Sequence, residues 1–207
     1  METPAVKKAR APIVAIIFAA FAIIGRLVSL GADIAVNFIP SFGVNNRLGL
    51  TAALGSVQFI GMALFLVGLL LHRKNGNILC GVGVVLNAIP VIANLLRDTG
   101  FLFISTDLVI GIFLVIAAVF YFTKIKVLGM PLKLIFGVFA VIASFTAVGG
   151  VAYIVASSTA LSMGLENIFS AFNYAPHLIV ITVCNLLSAL TTFWFYLAIV
   201  FFTPKKG

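Results

Sequence analysis

The chain is 207 residues long, 63% hydrophobic and only 9% charged, with 13 Lys and Arg against 5 Asp and Glu for a net charge of +8. A water-soluble domain runs at roughly 45–50% apolar and about 25% charged, and a globule of this size has too little interior to hide such an excess. A soluble enzyme, a disordered tail and a nucleic-acid-binding domain are excluded, which leaves an all-α integral membrane protein.

Crossing ~30 Å of hydrocarbon takes about 20 mostly apolar residues. Six stretches qualify, at residues 12–34, 48–71, 77–96, 101–122, 131–155 and 176–202, in one transmembrane domain covering residues 1–207. Each is bounded by charge, Pro, Gly or Asn. A β-barrel strand alternates apolar and polar residues, and the unbroken apolar run from Leu64 to Leu71 does not. Helices satisfy their own backbone hydrogen bonds in lipid, so a six-transmembrane-helix bundle is the expected architecture.

Span one follows Lys7, Lys8 and Arg10. Its basic start and apolar run are those of an export signal, but Arg26 interrupts the run and no clean small-x-small pair follows, so an uncleaved span is expected. Ala15, Ala19, Ala22, Arg26, Ser29 and Asp33 recur at spacings of 4, 3, 4, 3 and 4, which puts them on one face. Small residues let helices approach closely. This stripe is therefore expected to pack on other spans and to carry Arg26 into the bundle rather than out to the headgroups. Span two holds Gln58 and ends at Arg73 and Lys74. Span three holds Asn87, Asn94 and, between them, Pro90, which removes a backbone donor. Span four carries Asp107 near its start and leads into a turn rich in lysine: Lys124, Lys126 and, past the turn, Lys133.

Between spans five and six, Leu161, Leu165, Ile168, Phe169 and Phe172 recur at helical spacing, opposite Ser162, Glu166, Ser170 and Asn173. This pattern predicts a short amphipathic helix lying on the outer side. Span six carries Asn185, with Ser188 and Thr192 continuing its face, and Lys205 and Lys206 follow it. With six spans, Lys7, Lys8, Arg10, Arg73, Lys74, Lys124, Lys126, Lys133, Lys205 and Lys206 all fall on one side, and the other side receives only Arg47 and Arg97. Basic loops stay cytoplasmic, so both termini are expected inside, with the chain in the cell membrane.

Helical rise converts sequence position into depth. Arg26 lies ~22 Å from the inner face and Asp107 ~21 Å, while Gln58, Asn87 and Asn185 fall at roughly 15–17 Å. The matching depths predict an Arg26–Asp107 ion pair, with Asp33 as a second candidate partner. A lone amide or hydroxyl usually just joins helices, at ~0.6 kcal/mol. The collection of Arg26, Asp33, Gln58, Asn87, Asn94, Asp107 and Asn185 instead points to a polar pocket in the middle and outer half, closed below by apolar side chains.

His72 and His177 sit at opposite ends, Cys80 and Cys184 lack ligand spacing, and no catalytic motif appears, so no metal, no cofactor and no enzyme activity is expected. In size, span number and inside termini the chain resembles the substrate-binding membrane subunits of energy-coupling vitamin importers, and its Ala11/Ala15/Ala19 spacing is similar to their docking stripe. The Gly-Pro-rich segments of that group are absent around span two, and no residue role carries over. Two functions compete. One handles a polar or anionic small solute as transporter, channel or binding subunit. The other is a non-catalytic assembly, immunity or scaffold subunit with a structural Arg–Asp pair. The expected partners are the lipid bilayer, such a solute, and a second copy or partner membrane subunit, but not nucleic acid.

Overall fold

The computed structural model describes residues 13–37, 47–71, 74–98, 106–124, 126–163 and 176–202, which form six helices. They are α1 (Ile13–Asn37), α2 (Arg47–Leu71), α3 (Lys74–Asp98), α4 (Thr106–Thr123), α5 (Lys126–Met163) and α6 (Pro176–Phe201). Four of them carry segments long and apolar enough to cross a membrane: Ile13–Ala32, Ala52–Leu71, Gly76–Ala93 and Gly129–Gly149. Leu108–Thr123 and Leu186–Phe201 form shorter apolar stretches. α3 continues unbroken through Pro90. α4 ends at Lys124, whose left-handed φ of 57° turns the chain while its N–H still bonds to the Phe120 carbonyl at 2.8 Å.

One helix differs from the expected layout. α5 spans 38 residues, or ~57 Å at the helical rise, nearly twice the hydrocarbon thickness. Ser157 to Met163, expected in a separate surface helix, simply extend it. The rest of that expected amphipathic helix, residues 164–175, lies outside the described residues.

The exteriors of α1 to α5 are apolar. On α4 the exposed stripe is Ile112, Val115, Val119 and Phe122, and on α5 it is Met130, Leu134, Val138, Val141, Phe145 and Val148, with Phe145 72% exposed. Both repeat at helical spacing, so each helix turns one continuous greasy side outward. A water-soluble monomer limits such patches to a few hundred Å²; lipid is the solvent these stripes fit.

The helices run up and down, with chain neighbours packed together and α6 returning to α1. Packing is dense within two three-helix leaves, α2–α3–α4 and α5–α6–α1, and sparser where the leaves meet, at α1/α2 and above all at α4/α5. The α2/α3 seam is made of glycine. A Cβ built on Gly83 would lie 2.5 Å from the Gly61 carbonyl oxygen and 2.8 Å from the Phe65 nitrogen, and one on Gly68 would lie 2.5 Å from the Gly76 oxygen. Gly61 and Gly68 are seven residues apart, as are Gly76 and Gly83, so two antiparallel heptads meet backbone to backbone. Cys80 fills the gap between the contacts, its Sγ 3.5 Å from the Phe65 carbonyl.

Near the α2/α3 and α4/α5 turns, hereafter the basic end, an aromatic plug closes the bundle. Phe65 packs on Phe195 at 5.3 Å and Tyr121 at 5.9 Å, Tyr121 on Phe202 at 5.5 Å, and Phe136 on Tyr196 at 5.6 Å between ring centroids. Such ring pairs add about 0.5–1.5 kcal/mol each beyond their buried area.

The glycine seam yields a paired test. Gly83→Ala forces backbone apart and is expected to cost about 1–3 kcal/mol, lowering the melting temperature of the detergent-solubilised protein. Gly137→Ala, which has nothing within 4 Å of the new methyl, should leave it unchanged or raise it through helix propensity. Equal effects of the two substitutions would contradict the seam.

Candidate functional site

The α1 stripe is buried: Ala15, Ala19, Ala22, Arg26 and Ser29 all face the bundle, and Arg26 is 6% exposed. The guanidinium therefore does not reach out to the headgroups. Its Nε donates to the Gly55 carbonyl at 3.3 Å. Nη2 and Cζ lie over the Gly55 Cα, where a Cβ would overlap Nη2, and the Leu30 side chain closes the same notch. A glycine in α2 thus makes the seat for the arginine of α1, and a helix carbonyl, already engaged in its own helix, accepts from the charged group.

A second notch lies six residues further along α2. Asn87 of α3, also buried, donates from Nδ2 to the Gly83 carbonyl at 2.8 Å, and that Nδ2 lies 2.6 Å from a Cβ built on Gly61. Gln58 stands between the two notches, half-buried. Gln58, Met62, Phe65 and Leu69 follow at spacings of 4, 3 and 4, so Gln58 shares the face that enters the aromatic plug. Arg26, Gln58 and Asn87 are thus spread over about a third of the circumference of α2, with the two seats ~120° apart and separated by ~9 Å of helical rise. They flank a common helix rather than occupying one layer.

The remaining expected members, Asp33, Asn94, Asp107 and Asn185, belong to described helices, but their side chains lie outside the described residues. The expected Arg26–Asp107 pair lies outside them too. α1, which carries Arg26, packs on α2 and α6, whereas α4 packs on α3 and lightly on α5.

Sequence reasoning passed over Thr191. It is 1% exposed, and its Oγ1 has no hydrogen-bond partner. It presses on Gly25, the residue before Arg26, at 2.6 Å from a built Cβ. Other membrane-embedded hydroxyls bond back to their own helix: Ser56 to the Ala52 carbonyl at 2.9 Å, Thr146 to Ile142 at 3.2 Å and Thr192 to Ser188 at 2.8 Å. The signal available in the sequence was Gly25 itself, a notch in the arginine's own helix.

Closure is uneven along the bundle axis. Met62, Phe65 and Leu69 of α2, Phe195 and Ala198 of α6 and Phe202 just after it are buried at the basic end. Toward the other end Gln58 and Leu54 are half-buried, and so is every residue from Leu186 to Leu190. Those α6 residues circle the whole helix at ~100° each, so even its inward side keeps access there. Among the described residues, burial is tightest at the basic end and less complete around Gln58 and Leu186 to Leu190. Among the described residues no group of three or more His, Cys, Asp or Glu side chains comes together.

No protein-family model, curated protein or solved structure matches the chain.

An unpaired buried hydroxyl costs about 1–3 kcal/mol. Thr191→Val is accordingly expected to raise the melting temperature, whereas Thr192→Val, which deletes the bond to Ser188, should not. A lower melting temperature for Thr191→Val would show that the hydroxyl is satisfied.

Proposed function

We propose that the chain is a six-span protein of the cell membrane, with both termini cytoplasmic, that handles a small polar or anionic solute as a transporter, channel or substrate-binding subunit. The observation that carries this reading is the Arg26 guanidinium, seated on Gly55 inside the bundle and on the looser side of the aromatic plug. A cation in an apolar bundle is expensive and is normally kept for function. The planar fork of arginine matches carboxylate and phosphate groups, which fits an anionic solute. Gln58 and Asn87 flank the arginine along α2 and supply amide donors and acceptors. Asp33, Asn94, Asp107 and Asn185 complete the proposed lining by their sequence positions. No bond is made or broken in this role: the residues bind and orient, and the plug prevents leakage toward the basic end.

A second reading, a non-catalytic assembly, immunity or scaffold subunit, draws on Asn87, whose amide bonds within its own helix and fills a glycine notch. In that reading Arg26 is likewise a device for joining α1 to α2.

Ligand binding separates the two. Small carboxylates, phosphates and sulfonates are screened for thermal stabilisation of the purified protein. The solute reading expects at least one to stabilise the wild type, with affinity falling at least ~30-fold in Arg26→Gln, the cost of deleting one partner of a buried charge pair. No stabilisation by any anion, or equal stabilisation of the variant, favours the scaffold reading. Topology is tested independently. Fluorescent-protein fusions at either terminus should be bright and alkaline phosphatase fusions inactive; an active phosphatase at either end overturns the six-span arrangement.

A further inference from the structure

We propose that the cleft between α4 and α5 at the basic end is a binding site for an anionic phospholipid, with Lys133 as its headgroup cation. The inference rests on the chain lying in a bilayer, as proposed above, and not on the solute site.

The cleft exists because this seam is built differently from α2/α3. There glycines bring backbones into contact; here rings hold the helices apart. Phe113 meets Phe139 at 5.8 Å, and the Phe120 ring reaches Gly129, 3.3 Å from a built Cβ. The space between is walled by Ala117, Phe120, Leu132 and Ile199, with Gly129 and the half-buried Lys133 at its rim, and contains a cavity of about 10 Å³. That is room for about one water, so the helices do not close on each other. The walls are apolar apart from Lys133 and Tyr121.

Charge identifies the occupant. No Asp or Glu occurs between Asp107 and Glu166 or anywhere after Glu166. The helices that wall the cleft therefore carry no acidic residue except Asp107, at the far end of α4, and α5 and α6 carry none at all. A counter-charge for Lys133 must come from outside these helices, while Lys124, Lys126, Arg73 and Lys74 add positive charge at the same end. Cationic sites between membrane helices of this kind take anionic headgroups. The lipid-facing sides of the same two helices are apolar, with Val115 and Val119 exposed on α4 and Leu134 and Val138 on α5. A lipid whose headgroup meets Lys133 therefore has apolar helix surface beside it for its acyl chains, which a free phosphate cannot use, and a zwitterionic lipid brings its own cation to Lys133.

The test uses the full chain in mild detergent, with lipid retention read by native mass spectrometry. The ligands are phosphatidylglycerol, phosphatidylcholine of the same acyl chains, and glycerol phosphate as the free headgroup. Wild type should retain phosphatidylglycerol over phosphatidylcholine and ignore glycerol phosphate. Lys133→Gln should reduce retention about fivefold, the worth of one lysine near an anionic lipid surface. Lys133→Arg should restore it, and Arg73→Gln, which removes only general surface attraction, should reduce it clearly less than Lys133→Gln does. Equal retention of the two lipids by the wild type overturns the proposal without any variant having to fold. Equal losses in Lys133→Gln and Arg73→Gln, or displacement of the lipid by glycerol phosphate, also overturn it. Arg26→Gln should bind lipid normally even if it loses solute, which separates this site from the solute reading. A chain that stays in solution without detergent would remove the bilayer itself.

Discussion

Lipid gives apolar helices no reason to prefer one another over the surrounding acyl chains, so close van der Waals contact decides which helices join. In this chain the closest contact is α2 on α3, where Gly61 meets Gly83 and Gly68 meets Gly76. Two contacts one heptad apart set rotation and register together: if either helix turned, a side chain would face a backbone carbonyl. With α2 so fixed, Phe65 points into the aromatic plug and Gln58 stands two turns beyond it on the same face. Gly55, six residues before Gly61, is turned toward α1 instead. The seat of Arg26 is thus a consequence of the seam between two other helices.

Burying a guanidinium takes more than proximity. The charge must meet oriented dipoles, and inside a helical bundle the carbonyls of helices are the dipoles at hand. A helix carbonyl is normally screened by the side chains around it. Glycine removes one of them, which is why the buried Arg26 and Asn87 both sit over glycines of α2. Thr191 completes the set from the opposite side, pressing on Gly25. Three polar side chains on three helices each meet a glycine of a neighbouring helix.

Much of the fold is readable in the sequence because the solvent is uniform. A run of apolar residues needs to be a helix whatever it packs on, and the expected spans lie within a few residues of the observed helices except at both ends of α5, while residues 101–105 of the fourth lie outside the described residues. That helix outlasts its apolar stretch: Ser157, Ser158 and Thr159 end the lipid-compatible sequence but do nothing to stop a helix. The α1 stripe is legible too, since a 4-3 spacing fixes a face without reference to any partner. What spacing and depth leave open is direction around the bundle axis. Arg26 and Asp107 share a depth by helical rise, yet α1 and α4 pack on different neighbours. Asn87 turns toward Gly61 and its own helix rather than toward a shared pocket. Azimuth depends on which glycine meets which carbonyl, a pairwise property of two segments far apart in sequence.

The two leaves bring these points together. Inside each leaf, neighbouring helices share long, dense seams; between leaves the side-by-side seams α1/α2 and α4/α5 are sparser, and the aromatic plug joins the leaves where Phe65 meets Phe195. The first of those seams contains Arg26 on Gly55, and the second contains the ring-bridged cleft with Lys133 at its rim. Seams with the fewest contacts cost least to separate, so α4/α5 and α1/α2, beside Lys133 and Arg26, are the seams expected to open first. A ligand shifts such an equilibrium only by its difference in affinity between the two arrangements. An anion bound at the proposed Arg26 site would contact one leaf through α1 and the other through α2, and a lipid at the proposed Lys133 site would do the same through α5 and α4. Each would then bridge the leaves, whereas a group confined to the glycine seam of α2 and α3 would move with a single leaf and distinguish nothing.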